Sequence, residues 1–232
     1  MKTNFNKIVL TLSLIISLSC SEVFAQTVKW DSTYRPGKYV EQVLKFKAEP
    51  TAKNDFIFLG NSITAGTDWS KLLGVPQAKN RGISGDITFG VLERLQEVID
   101  RKPAKVFILI GINDVSRNIP DEVILSNYKK MISRIREGSK KTQIYFYTLL
   151  PVNASFGKFK NHYGKDEHIL YLNDEIRKFT AKKVKVIDLY PAFLDKDNHL
   201  RAELTKDGLH LIPEGYQVWK TVLEQGGYLR HK

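Results

Sequence analysis

The sequence predicts an α/β domain built on a five-stranded parallel sheet. Short apolar runs with strand composition alternate along the chain with longer stretches in which apolar residues recur at helical spacing. This alternation is typical of parallel sheets, because the crossover between two parallel strands is usually a helix. The predicted strands are residues 56–59, 78–81, 106–110, 144–149 and 184–189.

Four amphipathic helices are predicted from the apolar stripes between and after these strands. Each stripe places apolar residues three or four positions apart, so that they share one helix face. Pro213 favours the start of the last helix, because the first turn does not need the N–H that proline lacks. The stripes run from Ile87 to Ile99, from Val123 to Ile135, from Ile169 to Phe179 and from Val218 to Leu223.

Residues 1–25 have the pattern of a secretory signal. Lys2 and Lys7 precede the apolar stretch 8–18, and Val23-Phe24-Ala25 has the pattern of a cleavage site. The apolar stretch is too short to span a bilayer as a mature helix. We therefore expect the protein to be secreted or periplasmic after the signal is removed.

A competing interpretation of the same segment is a lipoprotein signal with the lipid on Cys20. Ser17 stands three positions before the cysteine, where a large aliphatic residue is expected, so cleavage after Ala25 is favoured. Cys20 is the only cysteine of the chain. Cleavage after Ala25 therefore leaves no disulfide framework, which fits a bacterial envelope protein.

The rest of the chain is predicted to divide into an N-terminal extension, residues 26–50, and a main domain, residues 51–232. A helix is predicted at residues 39–46, outside the sheet. The formal charge of the whole chain is +11, but the basic residues are scattered and form no long run or basic helix face. This distribution argues against nucleic-acid binding. Nothing in the sequence sets an oligomeric state.

Four segments are candidates for a functional site. Three of them directly follow predicted strands, and the fourth lies near the end of the chain. The carboxyl ends of parallel strands form one edge of the sheet, where open α/β sheets bind ligands. The segments are Gly60-Asn61-Ser62-Ile63, Asn80-Arg81-Gly82-Ile83-Ser84-Gly85-Asp86, Gly111-Ile112-Asn113-Asp114 and Asp207-Gly208-Leu209-His210.

Together, these segments resemble the SGNH (GDSL-like) hydrolase family, whose name lists four site residues: Ser, Gly, Asn and His. The order and spread match over residues 50–225. The resemblance implies a three-layer, flavodoxin-like fold and ester hydrolysis through an acyl-enzyme. It maps the site residues onto Ser62, Gly82, Asn113 and His210, with Asp207 three residues before the histidine.

The first segment departs from the family's pattern at two positions. Asn61 and Ile63 stand where the eponymous form has Asp and Leu. Asparagine keeps a short polar side chain that can cap the next helix, but it carries no charge. The departure therefore alters the local electrostatics and leaves the candidate nucleophile in place.

Ser62 is the candidate nucleophile, and His210 is its candidate base. A serine hydroxyl needs a base, and imidazole can take a proton and return it near neutral pH. Asp207 has a spacing that allows its carboxylate to orient the imidazole and to stabilise the imidazolium. Simpler interpretations are a helix cap for Ser62, a cap or surface residue for His210 and a turn residue for Asp207.

The candidate oxyanion hole consists of the backbone N–H groups of Ser62 and Gly82 and the side-chain amide of Asn113. Acyl transfer passes through a tetrahedral oxyanion, which needs fixed donors where its charge develops. Simpler interpretations are a turn glycine for Gly82 and a strand-end cap for Asn113.

Other acidic residues and histidines are expected to lie outside the chemistry. Asp114 is expected to bond nearby backbone N–H groups, and Asp86 to cap the helix that begins at Ile87. The chain has no His-x-x-x-His pair and no ligand set that includes cysteine. We therefore predict neither a metal nor a cofactor. The residues considered as metal ligands are Asp31, His162, His168 and His199.

The sequence as a whole predicts a secreted serine esterase acting on small acyl esters. By resemblance, it falls near platelet-activating-factor acetylhydrolase-like proteins and carbohydrate acetylesterases, so O-acetyl groups on glycans are the first choice. A lysophospholipase or thioesterase is the alternative within the family, and a non-catalytic glycan-binding module is the alternative of another class. The segment 153–168, with its aromatic residues and lysines, is either substrate-facing or an ordinary exposed loop.

Overall fold

The computed structural model describes residues 30–230 and has a five-stranded, all-parallel sheet in the order β2-β1-β3-β4-β5. The predicted fold class is therefore confirmed. The predicted leader, its cleavage after Ala25 and the alternative at Cys20 lie outside the described residues. The strands are β1 (Phe56–Gly60), β2 (Ala78–Gly82), β3 (Lys105–Leu109), β4 (Gln143–Tyr147) and β5 (Val184–Ile187).

Helices cover both faces of the sheet, and the alternation of side chains along β4 shows the two layers. Phe146 faces one side and packs against Tyr128 and Phe179, while Tyr147 faces the other and packs against Trp219. The helices are α1 (Tyr39–Ala48), α2 (Ser62–Ala65), α3 (Trp69–Leu73), α4 (Thr88–Asp100), α5 (Ile112–Ser116), α6 (Asp121–Gly138), α7 (Asp166–Arg177) and α8 (Pro213–Gln225).

The central strands are apolar because both of their faces are covered. Phe58 on β1 stacks between Trp69 of α3 at 4.1 Å and Phe107 of β3 at 4.7 Å, measured between ring centroids. The register pairs Gly60 with Gly82 on one side and with Leu109 on the other. The carboxyl ends of β1, β2 and β3 are therefore level, and the segments that follow them leave the sheet side by side.

Strands β4 and β5 end two residues earlier than the sequence predicts, because side chains replace the strand hydrogen bonds. The Leu149 N–H donates to Asn173 Oδ1 at 2.6 Å, and Asn173 Nδ2 donates to the Leu149 carbonyl at 3.0 Å. The hydroxyl of Thr148 accepts from the N–H groups of Leu189 and Tyr190 at 2.9 and 3.1 Å. The apolar run therefore continues past each strand, but the pairing does not.

The predicted N-terminal helix is confirmed as α1 and continues to Ala48. Tyr39 donates its hydroxyl proton to the Gly90 carbonyl of α4 at 2.7 Å. Phe46 lies under the guanidinium of Arg81, which is 4.7 Å from the ring centroid. These contacts attach α1 to the outside of the helical layer next to β2.

Between residues 30 and 230, no helix has the length and apolar character needed to cross a membrane.

Candidate active site

Ser62, His210 and Asp207 form a continuous hydrogen-bonded chain at the carboxyl edge of the sheet. The Oγ atom of Ser62 lies 3.0 Å from Nε2 of His210, and Nδ1 of His210 lies 2.9 Å from Oδ2 of Asp207. Each distance is within hydrogen-bonding range. The structure therefore brings Ser62 to a histidine that lies 148 positions later in the sequence.

Ser62 is held by the residues on either side of it. Asn61 caps α2, because its Oδ1 accepts from the Ile63 N–H at 3.0 Å. Tyr216 of α8 donates its hydroxyl proton to the Ile63 carbonyl at 2.8 Å. The substitution of Asn for the family's Asp thus retains the cap, and the hydroxyl of Ser62 opens on the cavity that His210 also lines.

Asp207 serves both as a turn residue and as the partner of the imidazole. Its Oδ1 accepts from the N–H groups of Leu209 and His210 at 3.1 and 2.7 Å, which closes the turn, while Oδ2 faces the ring. Burial acts to raise the pKa of the Asp207 carboxyl, but the hydrogen bonds from His210 and Leu209 outweigh it and lower that pKa. The turn therefore fixes an ionised carboxylate against Nδ1 of His210.

Gly82 does not occupy the oxyanion position that the sequence comparison assigned to it. Its N–H donates to Oδ1 of Asn80 at 2.8 Å, and Asn80 is itself fixed by donating to the carbonyls of Thr64 and Thr67. Gly82 lines a neighbouring groove and not the cavity at Ser62. It is a glycine for another reason, since a Cβ there would collide with the backbone of Ala65.

Gly85, three residues further on, has the features that Gly82 lacks. It lines the cavity with Ser62 and Asn113, and its φ of +81° favours glycine. Among residues 30–230, the N–H groups of Gly85 and Ser62 have no hydrogen-bond partner. Two backbone donors are therefore free at this cavity. Gly85, and not Gly82, is therefore the glycine of the candidate oxyanion hole.

Asn113 lies where the sequence places it, at the start of α5. Its Nδ2 donates one proton to the Asp86 carbonyl at 2.9 Å and has a second proton available. Asn113 is 8% exposed, and that small exposed surface faces the cavity. The side chain can therefore donate to a group bound beside Ser62.

Asp114 and Asp86 share the start of α4. Asp114 accepts from the Thr88 N–H with both oxygens at 3.0 Å, as expected of a residue that bonds nearby backbone. Asp86 accepts from the Ile87 N–H at 3.0 Å, and its other oxygen pairs with Arg94 at 2.9 Å. The predicted cap at Asp86 is therefore wrong, because α4 begins at Thr88 and not at Ile87, and the first N–H of the helix donates to Asp114 instead.

His162, which sequence analysis considered only as a metal ligand and placed outside the chemistry, lies at this site. Its Nε2 lies 3.1 Å from Oδ1 of Asn113, and its ring meets Phe159 edge to face at 5.8 Å. Burial, with smaller contributions from His210 and Arg117, lowers the pKa of His162 to about 4. No regular spacing joins residues 113 and 162, so the sequence alone gave no signal for this pair.

The other residues considered as metal ligands lie apart from this cluster. His168 pairs with Asp121 at 2.8 Å, Asp31 accepts from Thr33, and the His199 N–H donates to Oδ1 of Asp195 at 2.8 Å. Within the part of the chain that the structure describes, no group of three or more His, Cys, Asp or Glu residues could hold a metal ion.

The cavity at Ser62 has a volume of about 860 Å³, and most of its lining residues are polar. Of the segment 153–168, only residues 158–162 line it. Arg117, Lys158 and Lys160 place positive charge on its lining, and none of the lining residues between 30 and 230 is Asp or Glu. The remaining lining residues are Ser62, Ser84, Gly85, Asn113, Ser116, Phe159, Asn161, His162, Leu209 and His210.

The chain belongs to the GDSL-like Lipase/Acylhydrolase family, whose model matches residues 58–218. It is 30% identical to an Arylesterase of Vibrio mimicus over 189 residues, which are 74% of this chain and 86% of that protein. A solved GDSL-like lipase from Bacteroides thetaiotaomicron has a TM-score of 0.70 at 24% identity, over 81% of this chain and 96% of that one. The family match and the similarity to the arylesterase make the chain a carboxylic ester hydrolase.

One further similarity concerns part of a longer protein. An N-acylneuraminate cytidylyltransferase of Streptococcus agalactiae is 27% identical over 162 residues, which are 68% of this chain but only 35% of that protein. The chain therefore matches about a third of that relative's length.

Asp114 gives a prediction about stability and pH. Burial raises the pKa of its carboxyl from the usual 3.8 to about 7, against the hydrogen bonds from Thr88. Between these values the folded protein binds a proton that the unfolded chain releases, so this group's contribution to the free energy of unfolding falls as pH rises.

Asp114→Asn keeps an acceptor for the Thr88 N–H and cannot ionise. Urea unfolding from about pH 5 to about pH 8 should therefore show the variant gaining stability relative to the native chain. Parallel stability curves would contradict this assignment.

Proposed function

We propose that this chain is a serine esterase that removes short acyl groups, acetyl above all, from the hydroxyls of glycans. The observation that carries the proposal is the hydrogen-bonded chain from Ser62 through His210 to Asp207, which opens on a cavity lined mainly by polar residues. This arrangement is the one that serine acyl transfer requires, and family membership supplies the ester chemistry.

In the proposed mechanism, Nε2 of His210 accepts the proton of the Ser62 hydroxyl as Oγ attacks the ester carbonyl carbon. The negative charge that develops on the carbonyl oxygen is stabilised by the N–H groups of Ser62 and Gly85 and by the amide of Asn113. Asp207 stabilises the imidazolium through Nδ1. His210 then returns the proton to the departing sugar oxygen, which leaves the acyl group on Ser62.

Water completes the cycle by the same route. His210 takes a proton from a water molecule as its oxygen attacks the acyl carbon, and a second tetrahedral oxyanion forms in the same hole. Collapse of that intermediate breaks the bond to Oγ, and His210 returns the proton to Ser62. The products are the free acid and the original enzyme.

The lining of the cavity favours a small acyl group. Among the lining residues between 30 and 230, Phe159 and Leu209 alone have apolar side chains, whereas a long acyl chain needs an extended apolar surface to leave water. The small number of apolar lining side chains therefore favours an acetyl ester over a lysophospholipid ester as the substrate. A thioesterase acting on a short acyl group is an alternative within the same chemistry.

The charge around the cavity favours an acidic glycan. Arg117, Lys158 and Lys160 surround the opening and form no ion pair within residues 30–230. Cationic walls raise the local concentration of anionic substrates. The similarity to part of an N-acylneuraminate cytidylyltransferase supports the same choice, since that name refers to an acylated acidic sugar.

The proposed location is the medium or the bacterial periplasm. Support comes from the basic, apolar and small-residue order of residues 1–25. A protein placed there would meet the glycans of the cell envelope.

The catalytic roles predict non-additive losses. Asp207→Asn should lower kcat by about 10⁴, by analogy with the serine-protease triad, because the imidazole loses its orienting charge. His210→Ala should lower kcat at least as much, and the double variant should be scarcely worse than His210→Ala, because the two residues act as a unit. Steady-state hydrolysis of p-nitrophenyl acetate measures all three variants. Multiplying losses in the double variant would mean that Asp207 is a turn residue only.

The substrate class predicts a ranking and a charge effect. Among p-nitrophenyl esters, kcat/KM should fall from acetate to octanoate, and O-acetylated acidic sugars should be better substrates than neutral ones. Replacing Lys158 and Lys160 together by Gln should raise KM for the acidic sugar roughly two- to five-fold at low salt, with little effect on the neutral one.

A matched control removes the same charge elsewhere. Lys140 and Lys182 are exposed beside a different cavity, so their double replacement by Gln should leave both sugars unaffected. A preference for octanoate would favour the lysophospholipase alternative. Equal KM effects in the two double variants would remove the argument for an acidic glycan.

A further inference from the structure

His162 contacts the side-chain amide of Asn113, the candidate oxyanion donor. Nε2 of His162 lies 3.1 Å from Oδ1 of Asn113, while Nδ2 of the same amide donates to the Asp86 carbonyl at 2.9 Å. We propose that His162 is a positioning residue that fixes the Asn113 amide so that its second N–H points into the oxyanion hole. This inference rests on the proposed esterase function and adds a residue to it.

The two contacts determine which way the amide faces. A carbonyl oxygen can only accept, so the Asp86 carbonyl must meet the NH₂ group of Asn113. The Oδ1 atom then faces His162 and needs a donor. His162 therefore carries its proton on Nε2 and has an unprotonated Nδ1. Flipping the amide would place the Asn113 oxygen against the Asp86 carbonyl oxygen.

The surroundings of His162 favour this neutral tautomer. Nδ1 is enclosed and has no hydrogen-bond partner among residues 30–230, so a proton on it would be unsatisfied. Burial holds the pKa of His162 at about 4, well below the usual histidine value. The ring therefore stays neutral at the pH where esterases work, and its Nε2 is not free to act as a base.

His162 belongs to a short segment that contacts three residues of the site. We call residues 154–163 the capping segment. Its Phe159 packs edge to face on the His210 ring at 4.9 Å, and the hydroxyl of Tyr163 donates to the Asp207 carbonyl at 3.2 Å. The segment thus touches the base, its carboxylate partner and the oxyanion donor. The contacts with His210 and Asp207 therefore help to hold His162 against Asn113.

The physical effect of His162 is to restrict rotation of the amide. The last torsion of asparagine is broad, because it joins sp³ and sp² atoms. With only the Asp86 contact, the amide can swing about one hydrogen bond and its second N–H loses a fixed direction. Oxyanion donors act through such preorganisation, so the loss should appear in kcat and not in KM.

The test compares two replacements of His162 in the full chain, with p-nitrophenyl acetate as the probe. His162→Phe keeps a ring and removes the donor, whereas the amide of His162→Gln can reach the same point and donate. We expect Phe to lower kcat roughly tenfold, less than the about 10²–10³ of Asn113→Ala, with KM little changed. Gln should recover most of the loss.

The decisive step is a double-mutant cycle with Asn113→Ala. If His162 acts through Asn113, His162→Phe should cause no further loss in the Asn113→Ala background. Losses that multiply would overturn the proposal, as would an effect of His162→Phe confined to KM, which indicates a substrate contact. His168→Phe is the matched control, because His168 lies outside the cavity, and it should leave kcat unchanged.

A measurement independent of turnover separates this inference from the proposed function. Long-range proton–nitrogen NMR of the histidine rings should show His162 as the neutral Nε2–H tautomer, and this signal should change in Asn113→Ala. An Nδ1–H tautomer would overturn the positioning role even in an active esterase. Absence of ester turnover in the native chain would instead overturn the proposed function, and the positioning role of His162 with it.

Discussion

The buried contact between Arg94 and Asp86 is the interaction on which the geometry of the site depends. Arg94 of α4 pairs with Asp86 at 2.9 Å and also donates to the carbonyl of Gly60, the last residue of β1, at 2.9 Å. Both charged side chains are almost fully buried. The main-chain carbonyl of Asp86 in turn accepts from Asn113. One arginine therefore connects the segments that carry the nucleophile, the free glycine N–H and the amide donor.

Such a pair is not explained by stability alone. Burial raises the pKa of the Asp86 carboxyl, and Arg94 opposes that shift. Much of the attraction between the two charges therefore only offsets the cost of removing them from water. Removing one partner of a buried pair nevertheless costs about 3–5 kcal/mol, because the other charge is left unpaired. The pair thus contributes little net stability but makes any other arrangement of the three segments unfavourable. A fixed arrangement of these segments favours oxyanion stabilisation, because donors that are fixed before the reaction do not have to reorganise during it.

Much of the fold and of the candidate site could be predicted from the sequence. The alternation of apolar runs and helical stripes gave the order of elements, since each buried parallel strand must be followed by a crossover. The spacing of Asp207 and His210 places a carboxylate one turn from an imidazole, and the structure brings both to Ser62. These features depend on local patterns, which a sequence displays directly.

Two features of the site depend instead on contacts between distant segments. Asn80 decides between Gly82 and Gly85, because its side chain accepts from the Gly82 N–H. That side chain is held in place by donating to the carbonyls of Thr64 and Thr67. His162 meets Asn113 across 49 positions with no shared period, through a segment that is neither helix-patterned nor strand-patterned. Both were therefore outside the reach of motif spacing.

The central claim is that Ser62 is the nucleophile, and active-site labelling tests it most directly. A serine-directed fluorophosphonate should react with the native chain at one site, and peptide mass mapping should find the adduct on Ser62. Ser62→Ala should fold normally and take up no label, since the hydroxyl opens on the cavity and is not part of the core. An adduct on another residue, or equal labelling of the Ser62→Ala variant, would contradict the claim.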